Sequence, residues 1–267
     1  KICRTFLRSY FKRDRHLLGM ADGVFVTSPQ QKLILERYYL YPELKTYNVP
    51  YSIDLQDLSL RQKSENLRKN LNLSMNAKIA VTVTDMMETA EMIHILRAFQ
   101  KVSVKKPNAR LIIVGSGPFY KQIEYEMLSL ALGSKVILTG HIPPYEVAEY
   151  IDLADVFINL SSRSAGFESN TFEAMAQQKI VIGSEVSPLS NVVENAEDGF
   201  LIRPADTISL SELVIDIFSH SSSYDAIGAR ARSKVLALFD LQKLINQTLS
   251  SYQKILQATH WYTKMRP

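Results

Sequence analysis

The chain has 267 residues, of which 46% are hydrophobic and 22% are charged, and its formal net charge is +4 at pH 7. This length and composition are typical of a globular protein with one large or two modest domains, and they exclude a disordered chain. No apolar run reaches the roughly 18 residues of a membrane-spanning helix, and the single cysteine, Cys3, excludes an internal disulfide.

The N-terminal residues 1–18 combine six basic side chains with apolar residues that recur near helical spacing. Such a segment is typical of a solvated surface helix, and it also suits a peripheral contact with an anionic membrane. No other segment interleaves a basic face with aromatic residues, so we expect no nucleic-acid partner. The histidines are scattered and the one cysteine suits a reducing compartment, so we expect a cytoplasmic protein without a metal cofactor. The sequence begins at Lys1 rather than at methionine, which leaves open whether it is a piece of a longer protein.

The run Ala21–Ser28 predicts a turn and a buried strand, and a helix is expected from Pro29 to about Tyr39. From Lys78 onward, short apolar runs alternate with amphipathic helical stretches. The predicted strands are Ile79–Val83, Leu111–Val114, Val136–Thr139, Val156–Leu160, Ile180–Gly183 and Gly199–Ile202. Strands that are apolar throughout predict a parallel sheet covered by helices on both faces. The helices predicted to follow are Ser209–Ser219, Tyr224–Phe239 and Leu241–Gln257.

Ligands of parallel sheets bind at the carboxyl ends of the strands, so the loops there form the candidate site. These loops are Thr84–Ala90, Gly115–Pro118, Gly140–Pro144, Ser161–Asn170 and Ser184–Pro188. The loop Ser161–Asn170 is small and polar, and we predict that a helix begins near Thr171. The first N–H groups of a helix have no internal partner and carry partial positive charge, so this loop is a candidate anion site. Gly166 would let a ligand approach the backbone closely.

Four motifs carry a resemblance to a known family: Gly166-Phe167, Phe172-Glu173-Ala174-Met175-Ala176, Val181-Ile182-Gly183-Ser184, and the stretch from Asn195 to Leu201. In order and spacing they resemble the donor-binding half of family-four retaining glycosyltransferases of the GT-B fold. The resemblance implies an α/β protein with a Rossmann-like parallel sheet, helices on both faces and a partial second domain. It places the end of an N-terminal, acceptor-side domain in residues 1–54 and a linker with a short helix in residues 55–77. A C-terminal nucleotide-sugar-binding domain would then occupy residues 78–240, and a crossover helix and tail residues 241–267.

The resemblance also implies donor-binding residues. In the family, the loop that matches Gly115–Pro118 lines the donor cleft, the loop that matches Gly140–Pro143 meets the nucleotide base, and the glutamate that matches Glu173 binds the ribose. The donor-binding residues implied in this way are Arg163, Gly166, Phe167, Glu168, Ser169, Asn170, Thr171, Glu173, Gly115, His141 and Ile142. Structural explanations stay open beside these roles. A tight turn explains Gly115–Pro118, and Glu173 in the first turn of its helix would interact favourably with the helix dipole. His141 also suits an ordinary exposed loop.

Three positions depart from the family pattern. The family's catalytic glutamate, arginine and lysine correspond to Ala165, Asp85 and Ala90, and no Lys or Arg occurs from Ile79 to Leu96. Sugar transfer builds negative charge on the departing pyrophosphate, so the site needs cations or a metal. We therefore predict a degenerate member with weak or no catalysis, which acts as a partner of an active glycosyltransferase or binds a glycan or glycoprotein acceptor. The alternative is an active retaining transferase whose rearranged site uses Arg163 on phosphate and Glu168 on sugar.

Overall fold

The computed structural model describes residues 11–27, 29–49, 60, 62–161, 169–186, 189–238 and 241–264. The chain divides into two units. The smaller consists of Lys1–Asp54, Ser164–Phe167 and Leu238–Pro267, and the larger of Leu55–Arg163 and Glu168–Ala237. The larger unit contains the predicted parallel sheet and, apart from Ser164–Phe167, the loops that follow its strands.

The smaller unit combines two short parallel strands with helices. In sequence these elements are α1 (Lys12–Gly19), β1 (Val24–Val26), α2 (Pro29–Ile34), a wider helical turn (Leu35–Tyr39), a single 3-10 turn (Glu43–Lys45) and β2 (Thr46–Asn48). The strand and the helix predicted between Ala21 and Tyr39 are confirmed. The helix ends at Leu40, whose left-handed φ of 55° turns the backbone away. Most of the basic segment predicted at residues 1–18 lies outside the described residues.

The larger unit has a six-stranded sheet. Its strands are β3 (Lys78–Val83), β4 (Ala109–Val114), β5 (Val136–Leu138), β6 (Val156–Asn159), β7 (Ile180–Ser184) and β8 (Phe200–Ile202). Their order across the sheet is β5-β4-β3-β6-β7-β8, and all neighbours are parallel. The chain runs outward from β3 to β5 and then returns to β6 on the other side of β3. The loops after β3 and β6 therefore leave in opposite directions, which opens a crevice at the carboxyl ends of these two strands.

Helices cover both faces of this sheet. They are α3 (Glu65–Asn70), α4 (Ala90–Lys105), α5 (Tyr120–Ser129), α6 (Pro144–Leu153), α7 (Ser169–Ala176), α8 (Thr207–Ser219) and α9 (Asp225–Leu238). α4 forms because its apolar residues recur at helical spacing, so that Met92, Leu96 and Phe99 are buried against the sheet. Each such side chain contributes about 2 kcal/mol of burial free energy. The predicted α/β fold with a parallel sheet between helical layers is confirmed.

The last helix, α10 (Leu241–Lys264), belongs to the smaller unit and packs on β1. The rings of Phe25 and Tyr252 meet edge to face with centroids 5.0 Å apart. Among the helices of the described residues, α10 included, none has the length and hydropathy needed to cross a membrane.

Candidate functional site

The carboxyl ends of β3 to β8 lie at one edge of the sheet because all neighbouring strands are parallel. This edge, called the carboxyl edge below, carries the loops that were predicted to bind a ligand. Gly115 follows β4, His141 and Ile142 follow β5, and α7 follows β6. Five residues that the sequence analysis singled out in the loop after β6 lie outside the described residues: Arg163, Ala165, Gly166, Phe167 and Glu168.

The loops after β3 and β4 pack against each other backbone to backbone. Gly115 has φ +127°, and a Cβ atom on it would lie 1.8 Å from the carbonyl oxygen of Thr84. A Cβ atom on Gly117 would lie 1.8 Å from the carbonyl oxygen of Asp85. The N–H of Phe119 also donates to the carbonyl of Met86 (3.2 Å). Close packing of the two loops therefore accounts for both glycines of the Gly-Ser-Gly-Pro turn without a bound phosphate.

The loop after β3 is shaped by its own side chains. The N–H of Met86 donates to the Thr84 hydroxyl (3.0 Å), and the N–H of Met87 donates to Oδ1 of Asp85 (3.1 Å). Met86 has φ +49° and its side chain is fully buried, so it anchors the loop to the core. Asp85 remains exposed, and Ala90 is the first residue of α4. Asp85 and Ala90, which the resemblance matches to the family's arginine and lysine, thus lie at the carboxyl edge beside β3.

The loop after β5 lies alongside the loop after β4. The N–H of Gly115 is within 3.2 Å of the carbonyl of Gly140 and within 3.3 Å of the hydroxyl of Thr139. Next to them, His141 is exposed and Ile142 is half-buried. Three successive strand-end loops, after β3, β4 and β5, are thus joined into one continuous surface.

A buried asparagine positions the start of α7. Asn159, the last residue of β6, is 8% exposed; its Nδ2 donates to the Thr171 hydroxyl (2.7 Å) and its Oδ1 accepts from the N–H of Ser161 (2.9 Å). Thr171 is 2% exposed, whereas Ser169 and Asn170 are half-buried. The sequence analysis did not single out Asn159, although a polar residue that ends an otherwise apolar strand is a signal that could have identified it.

Glu173 is half-buried and lies farther into α7 than we predicted. The helix begins at Ser169 rather than near Thr171, so its first turn contains no acidic residue. The prediction that Glu173 lies in the first turn is therefore wrong, and a favourable interaction with the helix dipole no longer explains this carboxylate.

The C-terminal end of α7 is held by α9. The guanidinium of Arg232 donates to the carbonyl of Ala176, and a Cβ atom on Gly228 would lie 2.4 Å from the carbonyl oxygen of Gln178. In the turn that follows, the Lys179 ammonium donates to the carbonyl of Asp152 (2.6 Å). Burial, together with the nearby charge of Lys63, lowers the pKa of Lys179 to about 8. With Asn159 at one end and α9 at the other, α7 is fixed at both ends.

The Asn195–Leu201 motif has a structural role at the opposite edge of the sheet, before β8. Asp198 is buried, and its carboxylate accepts from the N–H of Glu194 (2.8 Å) and pairs with the ammonium of Lys234 (2.5 Å). Oδ1 of Asn195 accepts from the N–H of Leu201 (3.0 Å). This motif therefore fixes the path by which the chain enters β8, and the contacts described for it do not lie at the carboxyl edge.

Negative charge predominates at the carboxyl edge in the described residues. The acidic side chains in its loops and in the first turns of the helices that follow are Asp85, Glu88, Glu91, Glu146, Glu185 and Asp206, and Glu173 lies beyond the first turn of α7. The basic residues in the corresponding described positions are Lys121, in the first turn of α5, and Arg203, which follows the edge strand β8. No cluster of three or more potential metal ligands is found among the described residues. A diphosphate beside β3 would therefore meet the carboxylates of Asp85, Glu88 and Glu91, because residues 79–96 contain no Lys or Arg.

Residues 63–234 match the family described as glycosyl transferases group 1. N-acetyl-alpha-D-glucosaminyl L-malate synthase of Bacillus anthracis is 24% identical over 239 residues, which cover 90% of this chain and 62% of that protein. Alpha-monoglucosyldiacylglycerol synthase of Streptococcus pneumoniae is 27% identical over 192 residues, which cover 70% of this chain and 43% of that protein. The chain thus spans between 43% and 62% of the lengths of these two relatives.

Solved structures are similar as well. Sucrose-phosphate synthase from Thermosynechococcus elongatus superposes with a TM-score of 0.78 and 26% identity, over 94% of this chain and 62% of that one. Alr3699/HepE from Anabaena, solved with UDP and glucose, superposes with a TM-score of 0.78 and 18% identity, over 93% of this chain and 67% of that one. The second likeness establishes the fold alone.

Proposed function

Because the chain belongs to the glycosyl transferases group 1 family, we propose that its carboxyl edge binds a nucleoside-diphosphate sugar but transfers the sugar weakly or not at all. In this proposal the chain acts as a partner of an active glycosyltransferase, or as a subunit that binds a glycan or glycoprotein acceptor. Similar structures were solved with UDP and a sugar, which supports a ligand of this class.

The observation that carries the proposal is the charge of the loop after β3. Asp85 is exposed in this loop, which packs on Gly115 and Gly117 beside the crevice. A carboxylate about 4 Å from a phosphate charge is repelled by about 4 kcal/mol at the effective dielectric constant of a protein surface. Transfer increases the negative charge on the pyrophosphate further, and no cation of the loop offsets it. We therefore expect the rate of sugar transfer to be reduced more than the affinity for the sugar nucleotide.

Binding of the nucleoside part has support of its own. Glu173 is half-buried on a helix that is fixed at both ends, and its two oxygens could accept hydrogen bonds from both hydroxyls of a ribose. The loop with His141 and Ile142 is joined to the loop after β4 on the same edge and suits a nucleotide base. These contacts need no cation, so they persist where the diphosphate contacts are lost.

The test restores the two missing cations. We expect the double variant Asp85→Arg/Ala90→Lys to bind UDP at least about tenfold more tightly than the unmodified chain, because each new cation can form a charge-assisted hydrogen bond to phosphate. Isothermal titration calorimetry with UDP, GDP and ADP measures the affinities. A matched control, Glu212→Arg/Ala226→Lys, makes the same change of charge at exposed positions of α8 and α9 and should leave them unchanged.

Two results would contradict the proposal. Equal affinities of the unmodified chain and the double variant would show that the loop after β3 does not meet the diphosphate. Efficient transfer by the unmodified chain would show that catalysis does not need cations from this loop.

The second result would favour the active transferase with Arg163 and Glu168. One observation favours this alternative: Arg163 is the one basic residue in the sequence between β6 and α7. Arg163→Ala and Glu168→Gln should then each abolish donor turnover.

A further inference from the structure

A large part of the larger unit, residues 92–145, is markedly basic. It contains two acidic residues, Glu124 and Glu126, against seven basic ones: Arg97, Lys101, Lys105, Lys106, Arg110, Lys121 and Lys135. Both glutamates are paired, Glu126 with Arg97 (3.2 Å) and Glu124 with Lys121 (2.8 Å). The other five cations form no ion pair with any residue that the structure describes. We call these five residues the basic patch.

The basic patch lies at the amino ends of the strands, opposite the candidate ligand site. Lys101 and Lys105 are exposed, one turn apart near the end of α4, and Lys106 follows them. Arg110 is the second residue of β4 and Lys135 directly precedes β5; both donate to the carbonyl of Pro107, at 3.1 Å and 2.7 Å. These hydrogen bonds to a backbone carbonyl explain Arg110 and Lys135 as structural residues. Lys105 is in the last turn of α4, where a cation interacts favourably with the helix dipole, but the side chains of Lys101, Lys105 and Lys106 form no hydrogen bond or ion pair with any residue that the structure describes.

Exposed apolar side chains accompany the basic patch. Val104 on α4 is 74% exposed, and Tyr125 and Leu128 on α5 are 72% and 59% exposed. The Arg97–Glu126 ion pair and a hydrogen bond from Gln100 to the carbonyl of Leu130 (3.1 Å) join α4 to α5. The two helices therefore present one outer surface that combines uncompensated cations with large apolar groups.

We propose that this surface docks on a membrane that carries anionic lipid headgroups. Lysines near such a surface are attracted by its negative potential, and exposed apolar side chains add binding by entering the interface. An acidic polymer would use the charges but would gain little from Val104 and Leu128. The proposal goes beyond the proposed function, because the docking surface and the carboxyl edge lie at opposite ends of the same sheet.

Vesicle co-sedimentation tests the docking surface. The chain should bind vesicles of phosphatidylcholine with about a third phosphatidylglycerol at about 0.05 M salt, and should not bind pure phosphatidylcholine vesicles. The triple variant Lys101→Glu/Lys105→Glu/Lys106→Glu should bind the anionic vesicles about a hundredfold more weakly. The matched control is Lys69→Glu/Lys243→Glu/Lys254→Glu, which reverses three exposed lysines elsewhere and should bind like the unmodified chain.

The apolar contribution needs its own variant. Val104→Ser/Leu128→Ser should weaken the binding that remains at about 0.5 M salt, where charge attraction is screened. The corresponding Gln variant of the three lysines removes their charges without reversing them, so it should give an intermediate loss of vesicle affinity. It is the second test of the charges should the Glu variant fail to fold. The proposal is overturned if anionic vesicles do not bind, if the control loses as much affinity as the patch variant, or if heparin or DNA binds more tightly than the vesicles.

Discussion

Gly117 is one of the two glycines, with Gly115, at which the loops after β3 and β4 come close together. A Cβ atom there would lie 1.8 Å from the carbonyl oxygen of Asp85, which is backbone and cannot move aside as a flexible side chain can. We expect Gly117→Ala to lower the free energy of unfolding by about 3 kcal/mol. It should also weaken UDP binding, because the loop Thr84–Ala90 must shift. Urea denaturation followed by circular dichroism measures the first effect, and calorimetry the second.

Gly133 offers a matched control in the same unit. A Cβ atom on Gly133 would meet only the side chain of Leu128, at 3.4 Å, which is an ordinary contact. Gly133→Ala should therefore change the free energy of unfolding by less than about 1 kcal/mol. Similar effects of the two substitutions would mean that the two loops are less closely packed than the geometry indicates.

The attachment of α7 to β6 depends on one buried side-chain pair. In Asn159→Ala, the Thr171 hydroxyl and the N–H of Ser161 both lose their partner, so we expect the free energy of unfolding to fall by about 2 kcal/mol. Donor affinity should fall with it, because α7 carries Glu173. A double-mutant cycle with Thr171→Val should give a coupling energy of about 1 kcal/mol, measured by urea denaturation.

The control for this pair is Asn66→Ala, at an exposed position of α3, which should alter stability by about 0.5 kcal/mol or less. Additive effects of Asn159→Ala and Thr171→Val would contradict a direct interaction. In that case burial alone would hold the first turn of α7.

Strands and helices could be predicted from the sequence wherever burial follows a regular pattern. The apolar run Ile79–Val83 became β3, and the apolar run Val156–Leu160 became β6, each to within a residue. What could not be predicted depends on contacts between distant residues. The packing of Gly117 on Asp85 brings together loops that are far apart in sequence. Because α7 begins earlier than predicted, Glu173 lies beyond the first turn of the helix rather than within it.

Two opposite ends of one sheet carry the two proposed roles. β3 has six residues, so its ends are roughly 20 Å apart. The acidic carboxyl edge is proposed to face a sugar nucleotide, and the basic patch a membrane. The mild net charge of +4 hides this separation, because opposite charges cancel in the sum. Composition alone therefore gave no sign of a second surface.

This separation predicts that the two ligands bind independently. UDP affinity should be the same, within about twofold, in solution and on anionic vesicles, because coupling requires that one ligand change the state that the other binds. Lys101→Glu/Lys105→Glu/Lys106→Glu should lose vesicle binding and keep its UDP affinity, whereas Asp85→Arg/Ala90→Lys should gain UDP affinity and keep its vesicle binding. Equilibrium dialysis of UDP with and without vesicles measures the first pair of values, and co-sedimentation the second. A change of UDP affinity of tenfold or more on vesicles would mean that the sheet transmits binding from one end to the other, and the lysine variant would then abolish that change.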